Sequence, residues 1–330
     1  MKKIISLLLI TALLSALIGC SALERFLYDE GSGQVIFNPS SIEENKIERV
    51  DCDTLKVTVQ VSSDHSPLDP DQYLQFSKLN EEEQRVYRAI EESVKIADIS
   101  VDLTEYSLSY KRAMEIAQII MADCPQYFYL SKYINATHYE GSDDAVELRL
   151  YYTDGTVTDE MEGKKLVKQA DRQIIEKQIT EFNNTAIEFL NSIPSYYSDE
   201  EMTKKIHDFI VSKVSYDQAA AELINTEDMP PAYTAYGALC NKKAVCEGYA
   251  KLFQYFCYGV GINAGQVYGS GDGEPHMWNV VEVDGRWLHS DLTWDDPIGG
   301  TGIYYDYYNI SWDQMSKDHQ MDKNMLYVPK

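Results

Sequence analysis

The spacing of apolar residues assigns most elements of the chain. Leu55, Val57, Val59 and Val61 alternate with polar residues, a period of two that predicts a half-buried strand. After Asn80 the period lengthens. Leu79, Val86, Ile90, Val94 and Ala97 share one helical face, and Asn80 with Glu83 forms a capping box at its start. A second helix is expected over 110–122, ended by Pro125. Val146, Leu148, Leu150 and Tyr152 alternate again, and Asp154-Gly155 reads as a hairpin turn. A long helix is expected over 165–193. Ser198 and Glu201 open another, with Met202, Ile206, Phe209, Ile210 and Val214 inward.

The last third combines pattern with chemistry. Cys246 heads an apolar helical segment that Gly259 and Gly261 end. A short strand is expected over 264–268. The glycine-rich 269–275 then reads as a mobile rim beside a site. A strand over 276–283 and a return strand over 286–293 flank Asp284-Gly285, a two-residue hairpin turn. Counting outward from that turn sets Val283 opposite Arg286, Trp278 opposite Asp291 and His276 opposite Thr293. His276 and Asp291 are then diagonal neighbours on one face, within reach of each other. His289 faces Val280, too far along to serve the same carboxylate.

These positions suit nucleophilic chemistry. A thiol at a helix N-terminus meets the positive end of the macrodipole, which favours the anionic nucleophile. Cys257, at the other end of that helix, lacks this setting. Cys246 as nucleophile, His276 as base and Asp291 as the group that orients the base make a three-part set.

Charge and the first residues narrow the class. Acidic residues number 53 against 29 basic, a net charge of −24. That excludes a phosphate-tracking nucleic-acid binder and a polybasic membrane-surface protein. Lys2 and Lys3 precede an apolar run from Ile4 to Ile18, too short to span a bilayer and typical of an export signal. The run ends Leu17-Ile18-Gly19-Cys20, which resembles the lipobox of bacterial lipoproteins. The resemblance implies cleavage before Cys20 and lipidation of Cys20. The chain would then sit in the cell envelope, anchored to the outer face of the cytoplasmic membrane, or be secreted.

Val245-Cys246-Glu247-Gly248-Tyr249-Ala250, His276-Met277-Trp278-Asn279 and the run from Trp287 to Pro297 resemble the transglutaminase-like superfamily. So do Tyr216-Asp217, Ala235-Tyr236-Gly237, Tyr308-Asn309-Ile310-Ser311 and Lys317-Asp318-His319. The resemblance implies an α+β fold with a papain-like core, in which a helix bearing the Cys packs on an antiparallel sheet bearing the His and Asp. It implies thioacyl chemistry on peptide or protein amides, with Cys246, His276 and Asp291 catalytic. Asn241 and Tyr236 are candidates for a second oxyanion donor beside the Cys246 amide, and Trp278 for the acyl pocket. Tyr304 to Tyr308 line a groove or pack on the core.

The expected organisation is a signal over 1–19, a tether over 20–45, an N-terminal α+β domain over 46–165 and a transglutaminase-like domain over 166–330. Hydrolysis and amine transfer stay open. The alternative is a non-catalytic surface binding or assembly protein on the same scaffold. No cofactor is expected. The six His are scattered and no Cys-x-x-Cys occurs, so no metal is expected either. Cys52, Cys124, Cys240 and Cys257 are paired or free. The expected partners are a peptide or protein substrate and a membrane reached through Cys20, with no nucleic acid.

Overall fold

The structure, a computed structural model, describes residues 65–139, 141–161, 164–223, 230–296, 302–322 and 326–329. The expected signal, tether and Leu55–Val61 strand, with Cys20 and Cys52, lie outside the described residues.

The chain is α+β. The first helix, α1 (Glu81–Lys95), starts at the expected capping box: Asn80 accepts from the Glu83 amide and Glu83 from the Asn80 amide. After β1 (Ser100–Asp102), α2 (Tyr110–Asp123) packs on a three-stranded antiparallel sheet with the order β1–β3–β2. Its other strands are β2 (Leu130–His138) and β3 (Ala145–Tyr152). No alternation marks Leu130–His138, and this strand was not among those the sequence predicts.

Two expectations fail between 154 and 171. Asp154-Gly155 is not a hairpin between paired strands, because β4 (Gly155–Met161) pairs with β5 (Lys164–Ala170) and not with β3. The long helix therefore starts later, as α3 (Arg172–Leu190), where Asp171 accepts from the amides of Gln173 and Ile174. The expected domain boundary after residue 165 falls inside β5.

The remaining helices carry the site. α4 (Asp199–Lys213) begins at the Ser198–Glu201 capping box. β6 (Ser215–Tyr216) pairs in parallel with β7 (Lys243–Ala244), on either side of the short α5 (Gln218–Glu222) and a π-helical turn, Gly237–Asn241. α6 (Cys246–Gly259) crosses a four-stranded antiparallel sheet of order β10–β9–β8–β11. The strands are β8 (Ala264–Gly271), β9 (Glu274–Val283), β10 (Arg286–Ser290) and β11 (His319–Met321), the last after the short α7 (Trp312–Met315). The β9–β10 register is the one counted from the turn, from Val283 opposite Arg286 to Asn279 opposite Ser290.

The expected mobile rim is instead a tight hairpin. β8 and β9 pair as far as Gly271 opposite Glu274, and Asp272 and Gly273 turn with φ of 49° and 84°. The glycines serve packing: a Cβ on Gly269 would lie 2.0 Å from the Gln320 carbonyl oxygen of β11, and one on Gly271 would lie 2.6 Å from the Trp294 ring. Small residues there admit β11 and the indole at close range.

One continuous core joins the N-terminal elements to the site-bearing ones, with buried members running from Leu68 to Leu292. Phe182 of α3 packs on Phe128 and on Tyr255 of α6, at 5.2 and 4.8 Å between ring centres. Tyr73 stacks on Tyr258 at 4.3 Å. The carbonyl of Ala122, at the end of α2, accepts from the buried amides of Gln254 and Gln266, both at 2.9 Å. Each large apolar side chain in this core stabilises by roughly 1.5–3 kcal/mol. Residues 166–330 made alone would bare the face of α6 that α2 and the 65–79 segment cover. They are expected to bind a hydrophobic dye and to unfold without a cooperative urea transition, unlike the whole chain. A soluble, cooperative fragment would show that the shared core is dispensable.

Candidate active site

Cys246 is the first residue of α6. The N-cap, Val245, has an extended backbone and provides no side-chain cap, and its amide donates to the Ala232 carbonyl. A Cβ on Gly248 would lie 2.4 Å from that carbonyl oxygen, so glycine lets the first turn of α6 press against 232–234. Asn279 of β9 donates to the carbonyls of Ala250 in α6 and Gly265 in β8, at 3.0 and 3.2 Å. That amide ties the strand of His276 to the helix of Cys246.

His276 and Asp291 meet as the hairpin register predicts. β10 ends at Ser290, and the chain turns at Asp291, so Asp291 is the first residue past the ladder. His276 Nε2 lies 2.7 Å from Asp291 Oδ2. The carboxylate is buried and fully accepted: Oδ1 takes the amides of Thr293 at 3.0 Å and Trp294 at 3.3 Å. Burial alone would raise this carboxyl, but the charges and hydrogen bonds of His276 and His319 hold it at about 2. An ionised carboxylate only accepts, so His276 Nε2 carries a hydrogen and donates. Its other ring nitrogen remains for Cys246, with which the ring interacts by hydrogen bond and charge. Burial pulls the imidazolium down, yet Asp291 and Cys246 outweigh it and raise His276 to about 10.

The sequence reading missed a second imidazole as a site residue. His319 Nε2 lies 3.1 Å from the same Oδ2, and its Nδ1 2.7 Å from Asp318 Oδ1. His319 sits on a three-residue strand, where no periodicity can be read; the motif Lys317-Asp318-His319 was its only signal. Ligand-type atoms of His276, Asp291 and His319 all lie within 4.8 Å of one another, a spacing a cation could use, but both Nε2 atoms already donate to the carboxylate. Tyr216 is a further neighbour. The β6–β7 pairing carries it to the site, where burial, then Cys246, Tyr233 and Asp291, raise its phenol to about 12.

The other candidates scatter. Trp278 is almost wholly buried, and its Nε1 donates to His289 Nδ1 at 3.1 Å, so it is core rather than open pocket. His289 is thereby occupied away from Asp291. Tyr236 donates to Glu181 of α3 and stacks on Phe128, which occupies its hydroxyl elsewhere. Asn241 is exposed at the end of the π-helical turn. Trp294 lies over His276 and His319, at 5.7 and 4.3 Å between ring centres. In the tyrosine run, Tyr305 donates to Asp208, Tyr307 to Asp318 and Tyr308 to the Glu200 carbonyl, while Tyr304 is exposed. Asp295 and Asp296 each reach a helix. Asp295 is buried against His207 Nε2 at 3.0 Å, and Asp296 accepts from Tyr249 of α6 at 2.5 Å. Cys124, Cys240, Cys246 and Cys257 are free thiols. Burial raises Cys124 and Cys257 far above the usual thiol range, and burial with Glu181 raises Cys240 to about 12.

The His276–Asp291 pair should mark the pH dependence of stability. The folded protein holds the His276 proton to about 10, against about 6.5 unfolded. This contribution is fully present below about pH 6.5 and is lost as pH rises through about 10. Asp291 titrates at about 2 when folded, against about 3.9 unfolded. Its contribution is present above about pH 3.9 and is lost as pH falls through about 2. The loss of urea stability in Asp291→Asn, expected at about 3 kcal/mol, should therefore be greatest between about pH 4 and 6.5. It should shrink toward pH 10; a difference that ignores pH would contradict an ionic pair.

Comparison with known proteins agrees with these motifs. Residues 188–292 match the model of the transglutaminase-like superfamily. Kyphoscoliosis peptidase of Mus musculus is 33% identical over 117 residues, and that of Homo sapiens 33% identical over 119. Each match takes in 32% of this chain and 17% of the relative, so the chain spans about a sixth of the curated relatives' length. Among solved structures, a TGase aligns at a TM-score of 0.32 with 15% identity, over 62% of this chain and 53% of its own. A candidate cysteine protease from Cytophaga hutchinsonii aligns at 0.27 with 15% identity, over 49% and 61%. The stretch that matches the transglutaminase-like superfamily model, residues 188–292, holds Cys246, His276 and Asp291.

Proposed function

We propose that the chain is an exported cysteine-dependent enzyme that acts on peptide or protein amides through a thioacyl intermediate. The observation that carries this reading is the His276 ring, which donates from Nε2 to Asp291 and also interacts with Cys246 by hydrogen bond and charge. In the proposed cycle the Cys246 proton has already passed to His276, and Cys246 Sγ attacks the amide carbonyl carbon as the thiolate. Asp291 holds the imidazolium that forms. The C–N bond then breaks as His276 returns the proton to the departing nitrogen, leaving a thioester on Cys246. Water releases an acid, or a primary amine releases a new amide; His276 takes the proton of either attacker. The Cys246 amide at the head of α6 is a donor for the oxyanion. The name of the curated relatives, a peptidase, favours water as the acceptor. The lipobox-like run ending at Cys20 supports delivery to the outer face of a membrane on acyl chains.

The test is mass spectrometry on a peptide library with an added primary amine. Wild type is expected to convert peptides by gain of water or by exchange of ammonia for the amine, and Cys246→Ala to convert none. Equal conversion by the two proteins, or none by either, would remove the enzymatic reading and leave a binding role. A simpler measurement uses iodoacetamide at about pH 6, where only an activated thiol reacts quickly. Cys246 is expected to be alkylated well before Cys124, Cys240 and Cys257.

A further inference from the structure

The Asp291 carboxylate serves two imidazoles, and the proposed cycle uses only one. We propose that His319 is a positioning residue for the Cys246–His276 pair, a fixed cation that shares Oδ2 of Asp291 and sets the direction and strength of its hold on His276. This inference rests on the cysteine-enzyme reading of the same site.

Geometry carries it. Oδ2 receives His276 Nε2 at 2.7 Å and His319 Nε2 at 3.1 Å, and Oδ1 receives two backbone amides. Every accepting direction of Asp291 is thus assigned, and the carboxylate cannot rotate without breaking several bonds. Behind His319 the chain of contacts continues: Nδ1 faces Asp318 Oδ1 at 2.7 Å, and Asp318 Oδ2 accepts from Tyr307 at 2.7 Å. A ring with carboxylates at both nitrogens satisfies both only when each nitrogen carries a hydrogen, which makes it an imidazolium. The groups around it are consistent with that charge. His289, on β10, is lowered to about 4 by burial and by His319. His289 accepts from Trp278, which requires a neutral ring.

The fold builds this position deliberately. His319 is buried among Trp294, Trp278, Tyr307 and His276, at 4.3, 5.0, 5.4 and 5.6 Å between ring centres. β11 sets it opposite Gly271, and only the missing Cβ at Gly269 lets that strand close on β8. The titratable groups that face the two imidazoles are therefore Asp291, Asp318, Tyr307 and His289 for His319, and Asp291, His319 and Cys246 for His276. Tyr216 completes the set on the Cys246 side. Removing a fixed positive charge from this buried cluster raises the pH at which every neighbour loses its proton. Both limbs of the pH profile should move together, which a purely structural contact would not cause.

The test is the rate of Cys246 alkylation by iodoacetamide as a function of pH, read peptide by peptide in the whole chain. His319→Gln keeps one amide donor and loses the charge. Its profile is expected to shift about one unit toward alkaline pH relative to wild type, in both limbs. A folded His319→Gln whose profile overlays wild type would overturn the proposal. If that variant does not fold, nitrogen-15 spectra of wild type decide: His319 is expected to carry hydrogen on both nitrogens across neutral pH, and a neutral ring would overturn the proposal. Should Cys246 of wild type react no faster than Cys257, the enzymatic reading itself fails. A fast wild-type thiol with an unmoved His319→Gln profile sinks only the role of His319.

Discussion

A buried carboxylate with four donors holds this site together. Asp291 lies in the dry interior, where an unpaired charge costs several kcal/mol. It is tolerated because Thr293, Trp294, His276 and His319 each direct a hydrogen at it. The neighbouring residues repeat the device: Asp295 meets His207 of α4, and Asp296 meets Tyr249 of α6. The six residues 291–296 thereby bind the end of the sheet to two helices and to β11. The position of His276 relative to Cys246 depends on that short turn more than on either element alone.

The sequence was most legible where local rules act. Both capping boxes and the two-residue turn at Asp284-Gly285 depend on neighbours in sequence, and the hairpin register follows from the turn by counting. That counting alone brought His276 to Asp291. It was illegible where tertiary contacts overrode local pattern. The glycines at 269 and 271 look flexible in sequence, yet they are small because Gln320 and Trp294 press on them. Residues 164–170 continue smoothly into a helical pattern, and only pairing with β4 makes them a strand. His319 and Tyr216 reach the site on strands of three and two residues, too short for any period to be seen.

The N-terminal half carries no reactive cluster of its own among the described residues, yet it bears on the site through packing. The end of α2 anchors Gln254, on the same helix as Cys246, and Gln266, on the strand beside that of His276. Asp123 of α2 in turn accepts from the amides of Gln75 and Phe76, fixing the segment that runs along α6. Rigidity of the helix of Cys246 is thus supplied from residues more than a hundred positions away in sequence.

That long-range construction also orders events in time. Ribosomes make a chain from its N-terminus, so Cys246 is synthesised before His276, before Asp291 and well before His319. Until β11 pairs with β8, the carboxylate lacks one donor and the imidazole lacks its settled partner. On the proposed enzymatic reading, a thiol made early and armed late is inert during synthesis, when unfolded neighbours offer it abundant amide bonds.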